Sequence, residues 1–351
     1  MSHAVDLATL ARDAVPAATL ERIRAARRVL AVGHENPDAD TIGASMGLAI
    51  IVEQLGGRAS VVFSDPVPPL YEFLPGIDRV RTDPPADEPF DLLVLSDCAT
   101  PDRVGGVAQR HPVPFADLPR VIVDHHVSNG GQVAADWIDP SAAATCEMVA
   151  LLAVRLGIPL DAADGALATV LMAGIVMDTA TFAHPNATPR TLAVSAALVD
   201  AGAPLSDISR RLYRTKPDAQ LRLFGRVLDR IHTAAEGRVL WSTLLQADFD
   251  ATGALPAHSE GIIDLLAQSE SAEVSMLLKE QDEATTRLSV RTKPGGVDAT
   301  VLTGEFGGGG HARAAGATID APLDAAIGMA AAVAERLAAK VQRQHSPVAG
   351  H

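Results

Sequence analysis

The chain is poor in several residue types that mark particular protein classes. It has two cysteines, Cys98 and Cys146, among 351 residues, so a disulfide framework is not expected and a reducing compartment fits. Its longest apolar run, residues 167–177, is much shorter than a membrane span. The first residues include Asp6 and lack the apolar core of a signal peptide. We therefore expect a cytoplasmic protein with no membrane partner.

Basic residues are also few. The chain carries 29 Lys and Arg against 43 Asp and Glu, a formal net charge of -14. Long duplex nucleic acid is bound through many contacts between cations and phosphates, so this balance argues against such a partner. A small phosphate ester is still compatible with it, provided that bound metal ions supply positive charge. With 48% hydrophobic residues, the chain is long enough for two domains with buried cores.

Two common catalytic motifs are absent from the sequence. There is no Walker A motif for nucleoside triphosphates and no Gly-x-Ser-x-Gly motif around a nucleophilic serine. Water, rather than a side chain, is therefore the expected nucleophile of any hydrolytic reaction.

Three apolar runs end in residues that are typical metal ligands. The runs and the residues that follow them are 28–33 with His34, 91–96 with Asp97, and 120–123 with Asp124, His125 and His126. In open parallel sheets, ligands bind beyond the carboxyl ends of the strands, so these three ends should meet at one site. A single carboxylate such as Asp40 is explained as well by a solvated loop or a helix cap. Three coincident strand ends favour a metal site.

Strand-like and helix-like segments alternate through residue 178. This pattern predicts an α/β fold with a doubly wound, mostly parallel sheet over residues 1–203. The predicted strands are 28–33, 59–63, 91–96 and 120–123, and the predicted helices are 17–27, 41–55, 141–156, 163–177 and 189–201. Thr41 is the predicted N-cap of helix 41–55. Residues 99–119 are predicted to form a loop with at most a short helix.

The pattern changes after residue 203. Residues 204–236 are predicted to form a helical connector, residues 237–345 a smaller α+β domain across a cleft, and residues 346–351 a tail. The predicted strands of this domain are 238–244, 273–278, 286–291 and 315–319, and its predicted helices are 259–268 and 323–341. The stretch 207–230 is basic, and its arginines Arg222, Arg226 and Arg230 share one helical face. A solvated face is the favoured interpretation, and a basic wall that attracts phosphates is the alternative.

Four consecutive glycines, residues 307–310, precede His311 and Arg313. Such a run does not stabilise a helix or a strand, so we predict that it lets the backbone approach a ligand and offers N–H groups to an anion. A flexible linker is disfavoured, because the run leads directly into an apolar strand. Arg291 and Lys293 end the neighbouring predicted strand and are also candidates for phosphate contacts.

Six residues are candidate metal ligands. They are His34, Asp38, Asp40, Asp97, His125 and Asp178. They offer nitrogen and oxygen but no thiolate, which suits Mn, Fe or Zn more than Ca or Mg alone. Four carboxylates and two imidazoles are too many for one ion, whereas two ions that share a carboxylate would use them all. Two-metal sites of this kind activate water and stabilise the attacking and leaving oxygens in phosphoryl displacement.

These motifs resemble, in order and context, those of the DHH phosphoesterase superfamily. The matching residues are His34-x3-Asp38-x-Asp40, Asp97, Asp124-His125-His126 and Asp178. The segment 307–316 resembles the signature of the DHHA1 domain that follows the DHH domain. The resemblance spans nearly the whole chain, which looks like the NrnA-type bacterial enzymes of this superfamily. Ala39 and Ala180 stand where the family often has glycine, which affects loop shape and not the ligands.

The resemblance implies an oligoribonuclease and phosphatase. Its expected substrates are short oligoribonucleotides and 3′-phosphoadenosine 5′-phosphate (pAp), with linear pApA or cyclic di-AMP as further candidates. It implies two divalent ions, usually manganese. The implied metal ligands are His34, Asp38 and Asp97 for one ion, and Asp40, Asp97, His125 and Asp178 for the other. His126 would contact the scissile phosphate, and Asp124 would orient the histidine pair. The expected substrate-binding residues are Arg291, Lys293, Gly308, Gly309, Gly310, His311 and Arg313.

Three other functions are less consistent with the sequence. A family II inorganic pyrophosphatase shares the N-terminal motifs, but the His-Ala-Arg after the glycines argues against it. A RecJ-type exonuclease would need a further nucleic-acid-binding domain, for which the chain has no room. A nucleotide-binding sensor without catalysis is disfavoured because every proposed ligand is present. The order of preference among substrates and the direction of cleavage stay open.

A homodimer is also expected, because enzymes of this type often dimerise through apolar helices of the sheet domain. The candidate surface is helix 141–156, with Ala142, Ala143, Met148, Val149 and Leu152. The alternative is that this helix packs on its own sheet.

Overall fold

The computed structural model describes residues 6–86, 88–98, 101–131 and 133–345. The chain divides into two compact units, Met1–Thr215 and Lys216–His351. The residues of the predicted connector, 204–236, are shared between these units, and the predicted domain limits themselves stay a prediction. The predicted tail, 346–351, lies outside the described residues.

The first unit is built on a five-stranded sheet. Its strands are β1 (Arg28–Val32), β2 (Arg58–Val62), β3 (Leu92–Ser96), β4 (Arg120–Asp124) and β5 (Trp137–Ile138). They lie in the order β2-β1-β3-β4-β5, and every neighbouring pair is parallel. Alternate residues of β1 enter two different apolar cores, Val29 and Ala31 on one face, Leu30 and Val32 on the other. Both faces are therefore covered, which explains why the strands are continuous apolar runs. The predicted α/β fold is confirmed.

Helices cover both faces of this sheet. They are α1 (Leu7–Ala14), α2 (Ala17–Ala25), α3 (Ala39–Gln54), α4 (Gly106–Arg110), α5 (Pro112–Asp117), α6 (Thr145–Leu156), α7 (Ala166–Asp178), α8 (Pro189–Asp200) and α9 (Leu205–Ser209). Short 3-10 turns occur at Pro69–Tyr71, Ile77–Arg79 and Pro101–Val104, and a π-helical turn at Arg210–Arg214. Helices α3, α6 and α7 pack against one another in the core. They are apolar nearly all round because almost every side is buried.

Several local predictions for this unit were wrong. Helix α3 is capped by Asp38 and not by Thr41, because the Asp38 Oδ1 accepts hydrogen bonds from the backbone N–H groups of Asp40 (2.9 Å) and Thr41 (3.1 Å). The segment 99–119 contains α4 and α5 rather than at most one short helix. Helix α6 begins at Thr145, four residues later than predicted. Helix α1 and the two-residue strand β5 were not predicted, and a strand of that length has no periodicity to detect.

Helix α6 packs inside the first unit. Its predicted dimer-forming residues are all buried, at most 5% exposed: Ala142, Ala143, Met148, Val149 and Leu152. The helix contacts α1, α3 and α7. The prediction that it forms a dimer surface was therefore wrong, and the alternative, packing on its own unit, holds.

The second unit contains a six-stranded mixed sheet, as expected for the predicted α+β domain. Its strands are β6 (His232–Ala234), β7 (Val239–Leu244), β8 (Val274–Glu280), β9 (Thr286–Thr292), β10 (Gly309–His311) and β11 (Ala314–Ile319). Their order is β10-β11-β9-β8-β7-β6, and only β7 and β8 pair in parallel among these described strands. The helices are α10 (Asp218–Leu228), α11 (Gln246–Thr252), α12 (Ile262–Leu266), α13 (Ala299–Gly304) and α14 (Leu323–His345), with a 3-10 turn at Pro256–Ser259.

The glycine run corrects another prediction. Gly309, Gly310 and His311 form strand β10, which pairs with β11, although glycines at this density were not expected to form a strand. A Cβ atom at Gly310 would lie 2.6 Å from the Ala314 carbonyl oxygen, and the φ of Gly310 is +140°. Only glycine fits this combination of backbone angle and close approach. Strand β6 and helices α11 and α13 were also not predicted.

In the described part of the chain, no single helix has both the length and the apolar character needed to cross a membrane. One bent pair, Pro189–Asp200 with Leu205–Arg214, meets the length and composition criteria alone.

Candidate metal centre

The polar residues that follow β1, β3 and β4 lie together around Asp97. The Asp97 Oδ2 is 3.5 Å from Nε2 of His34, and its Oδ1 is 3.5 Å from Nε2 of His125. Asp97 is 3% exposed and has a φ of +56°, a left-handed conformation that aspartate adopts more readily than most residues. The predicted convergence of the strand ends is thus observed, with Asp97 at its middle.

A first group of donor atoms comes from His34, Asp38 and Asp97. Their ligand atoms lie within 4.8 Å of one another. The Nδ1 of His34 donates to the Glu35 carbonyl oxygen at 2.7 Å, which leaves Nε2 facing the two carboxylates. Because one oxygen of Asp38 caps α3, its other oxygen, Oδ2, is the one directed at His34, at 3.9 Å. A backbone partner on the far ring nitrogen is typical of metal-binding histidines.

A second group comes from Asp40, His125 and Asp178, again with ligand atoms within 4.8 Å of one another. The Nε2 of His125 lies 3.2 Å from Asp178 Oδ2 and 3.9 Å from Asp40 Oδ2. Its Nδ1 faces the carbonyl oxygen of Ala142 at 3.4 Å. The same arrangement as at His34 therefore keeps Nε2 for the carboxylates.

His126 is held by Asp124, and its ligand atom lies within 4.8 Å of those of Asp97 and His125, which makes these three a further possible ligand group. Its Nδ1 donates to Asp124 Oδ1 at 2.7 Å, and it lies 3.6 Å from Asp97 Oδ1. Asp124 is fully buried, and its other oxygen accepts from Asn129 Nδ2 at 2.8 Å. The His126 side chain is 37% exposed. His126 is thus more exposed to solvent than His125, and its hydrogen bond to Asp124 sets the orientation of its ring.

The N-terminus of helix α6 lies against the candidate metal centre. Asp40 accepts from the backbone N–H of Thr145 at 2.7 Å and of Cys146 at 2.9 Å, and the Thr145 hydroxyl donates to Asp97 Oδ1 at 3.1 Å. A carboxylate at this position also interacts favourably with the helix dipole. On the opposite side, a Cβ atom at Gly174 of α7 would lie 2.5 Å from Asp40 Oδ1. The close approach of α7 to α3 thus requires glycine there.

Buried negative charge dominates the electrostatics. Burial, together with the charge of Asp97, raises the pKa of Asp38 and raises that of Asp40 well above its usual range. Burial also raises the pKa of Asp178. For Asp97, burial acts in the same direction, but hydrogen bonds from His125 and His34 outweigh it and lower the pKa.

Burial has the opposite effect on the pKa values of the histidines. Burial on its own lowers the pKa of His125, but the hydrogen bonds to Asp178 and Asp97 prevail and raise it to about 12. The hydrogen bond to Asp124 raises the pKa of His126. Both shifts have the same cause, the negative charge of the neighbouring carboxylates, and that charge also attracts cations.

The donor set fits divalent metal ions. Nitrogen and oxygen donors converge without a thiolate, and four carboxylates stand against two imidazoles within the two groups. A buried cluster of carboxylates with upward-shifted pKa values is costly unless a cation compensates it. The predicted ligands His34, Asp38, Asp40, Asp97, His125 and Asp178 are therefore all brought together, with Asp97 between the two groups.

Some residues of this centre were missed by the sequence analysis. Thr145 bonds two of the predicted ligands. Asn129 donates to the Asp124 carboxylate, and Asn186 donates to the Asp178 carbonyl oxygen. Asn129 lies five residues after Asp124, and this short separation in sequence could have indicated that the two residues interact. Thr145 was hidden because the helix was predicted to start at Ser141.

The predicted substrate-binding residues lie in the second unit. His311 of β10, Ala314 of β11 and Arg291 of β9 are in register, so their side chains share one face of the sheet. On this face His311 and Arg287 are exposed, while Arg291 is half-buried. Arg291 donates from Nε to Asp264 Oδ1 at 2.8 Å. Arg291, His311 and the glycine strand are thus neighbours, as predicted.

Two of the predicted substrate-binding residues, Lys293 and Arg313, donate hydrogen bonds to main-chain carbonyl oxygens. The Lys293 ammonium donates to the carbonyl oxygens of Ser269 (2.7 Å) and Glu270 (2.6 Å). Arg313 donates from Nη1 to the carbonyl oxygen of Lys293 at 2.6 Å. Both cations hold the loop that follows β9. This use was not visible in the sequence, where only their proximity to the glycines could be read.

The basic stretch 207–230 is largely paired with acids. Arg210 and Arg211 form ion pairs with Asp207 in the first unit. Arg226 and Arg230 form ion pairs with Asp248 in the second. This pairing favours the interpretation of a structural, solvated face over a wall that attracts phosphates.

Comparisons with known proteins agree with the geometry. Residues 28–175 match the DHH family, N-terminal domain, and residues 239–341 match the DHHA1 domain. The chain is 34% identical to the bifunctional oligoribonuclease and PAP phosphatase NrnA of Thermus thermophilus over 286 residues, 82% of each chain. It is 25% identical to the protein of the same name from Bacillus subtilis over 289 residues, 82% of this chain and 87% of that one.

A solved structure supports the fold independently. An exopolyphosphatase-related protein from Bacteroides fragilis superimposes with a TM-score of 0.80, at 21% identity, over 93% of this chain and 98% of that one. At this identity the likeness concerns the fold alone. Taken together with the ordered motifs and the two domain matches, these similarities confirm the predicted resemblance: the chain belongs to the DHH family of phosphoesterases and carries a DHHA1 domain.

Proposed function

We propose that this protein is a two-metal hydrolase that degrades short oligoribonucleotides to mononucleotides and removes the 3′-phosphate of pAp. The observation that carries the proposal is the convergence of two donor groups on one shared carboxylate, Asp97. The two NrnA relatives bear both activities in their names, and the matched region covers more than four fifths of each. Linear pApA and cyclic di-AMP are further candidate substrates.

The residues present fit two divalent ions, for which we propose Mn²⁺. When bound, such ions supply Lewis-acid charge for the transfer of a phosphoryl group to water. His34, Asp38 and Asp97 would hold one ion, and Asp40, Asp97, His125 and Asp178 the other. The chain's own contribution is to keep Nε2 of both histidines available, because Nδ1 of each faces a backbone carbonyl oxygen.

His126 is assigned to the phosphate of the substrate. Asp124 holds the proton on Nδ1 of His126 and, by raising its pKa, favours the imidazolium form. The Nε2–H of that form can donate to a phosphoryl oxygen as negative charge develops there. Asp124 is thus a positioning residue for His126, with Asn129 supporting it in turn.

The second unit is assigned to nucleotide recognition. The face that carries His311, Arg291 and Arg287 offers cationic and polar groups beside the main chain of Gly308, Gly309 and Gly310. Guanidinium groups suit bidentate phosphate contacts. Lys293 and Arg313 would contribute by holding the neighbouring loop.

We further propose a cytoplasmic location and a homodimer. The chain has only two cysteines, Cys98 and Cys146, and both are buried, which suits a reducing compartment. The homodimer follows from the family resemblance and is tested by light scattering on the full chain.

The test of the function is a substrate panel assayed with Mn²⁺ and with chelator. The panel contains pAp, pApA, a trinucleotide, cyclic di-AMP and pyrophosphate. We expect Mn-dependent release of AMP or of nucleotides, and a loss of about 10³-fold in kcat for Asp97→Ala, because several kcal/mol of charge stabilisation depend on both ions. The control is Asp83→Ala, which removes an exposed carboxylate bonded to Arg110 and should leave kcat unchanged.

The same panel separates the alternatives. Cleavage of pyrophosphate alone would indicate an inorganic pyrophosphatase. Binding of a nucleotide without any turnover would indicate a sensor. Equal activity of Asp97→Ala and the parent would contradict the two-metal proposal altogether.

A further inference from the structure

The segment 184–190 comprises the end of the link between α7 and α8 and the first two residues of α8, and it contacts the surroundings of the metal centre without supplying a ligand. Its residue Asn186 donates from Nδ2 to two carbonyl oxygens, that of Ala143 at 3.1 Å and that of Asp178 at 3.2 Å. His184 Nδ1 donates to the same Asp178 oxygen at 3.1 Å. Asn186 therefore ties the chain just before α6 to the end of α7.

Arg190, at the other end of this segment, forms a buried network with two acids. Its Nε donates to Glu147 Oε1, and its Nη1 donates to Asp139 Oδ2 at 2.8 Å. The other oxygen of Glu147 accepts from the backbone N–H of Ala143 at 3.2 Å. The side chains are 18%, 0% and 17% exposed for Arg190, Glu147 and Asp139. Asp139 and Glu147 bracket the stretch 139–147, so this network fixes both of its ends.

The stretch 139–147 in turn holds the metal ligands. The Ala142 carbonyl oxygen faces Nδ1 of His125, the Thr145 N–H bonds Asp40, and the Thr145 hydroxyl bonds Asp97. Each of these bonds orients a ligand rather than a remote part of the fold. Partners of this kind set the direction and basicity of metal ligands.

We propose that the segment 184–190 is a positioning clamp for the ligand group of Asp40, His125 and Asp178. Asn186 and His184 fix Asp178 through its main-chain oxygen, and Asn186 and Arg190 fix the stretch that orients His125 and Asp40. Among the described residues, the hydrogen bonds of this clamp do not reach His34 or Asp38, and they reach Asp97, which both groups share, only through Thr145. The proposal rests on the metal centre of the proposed function.

A purely structural role is the competing explanation, because a buried ion pair resists removal of one partner. Arg190→Ala would then unfold the first unit and teach nothing about positioning. Asn186→Ala is the sharper variant, since it removes two neutral hydrogen bonds and leaves the ion pair intact. Arg190→Lys keeps the charge but loses the planar fork that joins two carboxylates.

The matched control is Thr188→Ala. Thr188 caps α8 in the same segment and accepts from the Thr191 N–H at 3.2 Å; its side-chain hydrogen bonds among the described residues are with Thr191 and not with a ligand or the stretch 139–147. Loss of an N-cap lowers stability, so this variant should lower Tm by about 2–4 °C without affecting ligand geometry.

The experiment titrates Mn²⁺ into the full chain and its variants, with free Mn²⁺ followed by electron paramagnetic resonance. Asp178→Ala identifies the binding class that depends on the second ligand group. We expect Asn186→Ala and Arg190→Lys to weaken that class by about tenfold or more, and to weaken the other class less, because the clamp reaches it only through Thr145 and the shared Asp97. Thr188→Ala should bind both ions like the parent despite its lower Tm.

The outcomes distinguish this proposal from the function itself. Unchanged affinity of both classes in Asn186→Ala overturns the clamp, as does an equal loss in Thr188→Ala. A parent that binds no Mn²⁺ overturns both the clamp and the proposed function. A parent that binds two ions with the expected variant pattern, yet hydrolyses nothing in the panel, supports the clamp and overturns only the proposed function.

Discussion

The metal centre of the first unit and the polar face of the second unit use charged residues in opposite ways. Asp40 and Asp97 are at most 3% exposed and are surrounded by other carboxylates. On the second unit, His311 and Arg287 are exposed on one face of a sheet. The first arrangement is costly without a bound cation, whereas the second costs little when no ligand is present.

This difference supports the proposal that the first unit carries out the chemistry and the second unit binds the substrate. A buried centre with fixed ligand directions is prearranged for chemistry, since its groups need little reorganisation. An exposed face whose cations already have protein partners, as Arg291 has in Asp264, exchanges one set of contacts for another. In the proposed function, such a face would contribute to substrate affinity and selection more than to the reaction itself.

Metal removal should give the largest difference in stability between the two units. We expect chelation to abolish turnover and to destabilise the first unit alone, because ions bound only to the folded centre stabilise it by about 2.7 kcal/mol at 100 times their Kd. Without them the carboxylates around Asp97 repel one another. Hydrogen exchange measures both units at once: the amides of Thr145 and Cys146, which bond Asp40, should lose protection. The amide of Val290 in β9 serves as the control, and a matching loss there would contradict the prediction.

The first unit was the more predictable of the two from sequence. Each apolar run predicts a strand, and the residue that follows it, such as His34, Asp97 or His125, predicts a metal ligand. Parallel pairing of the strands then brings these ligands to the same edge of the sheet. The contacts of Arg190 with Glu147 could not be predicted, because the two residues are 43 positions apart and only the packing of α6 against α8 joins them. The start of α6 was missed for a similar reason, since Asp40 binds the N–H groups that define it.

The glycine run shows a different limit of sequence reasoning. Four glycines indicated close backbone approach, and at Gly310 the group that approaches is the Ala314 carbonyl oxygen of the neighbouring strand. Local composition indicates that space is scarce around a residue. It does not identify the group that occupies the space, because that group is brought there by strand pairing.

A smaller effect is expected from the charge pairs of the second unit. Asp248 is fully buried and accepts from Arg226 and Arg230. Burial on its own raises the pKa of Asp248, but the bonds to Arg230 and Arg226 outweigh it and hold the pKa below the usual 3.8. Asp248→Asn should therefore lower the free energy of unfolding by about 2 kcal/mol at pH 7, because hydrogen bonds between charged groups are lost.

The sign of the pH dependence checks the cause of that loss. A carboxylate whose folded pKa is depressed contributes stability above its unfolded pKa and loses it as the pH falls through the folded value. The difference between parent and Asp248→Asn should thus shrink below about pH 4. Chemical unfolding across pH measures it, with the exposed neighbour Asp250→Asn as the control. A difference that persists in acid would mean that packing, and not charge, is responsible.

The smallest expected effect concerns the exposed face itself. His311→Ala should raise KM for pAp about tenfold, since one hydrogen bond to a charged phosphate contributes about 1.5 kcal/mol, and should leave kcat nearly unchanged. Arg336→Ala, which removes an exposed arginine paired with Glu305, is the control and should change neither constant. If His311→Ala instead lowered kcat with KM unchanged, His311 would act in the transition state. The second unit would then take part in the chemistry, and the division of work between a buried catalytic centre and an exposed binding face would have to be abandoned.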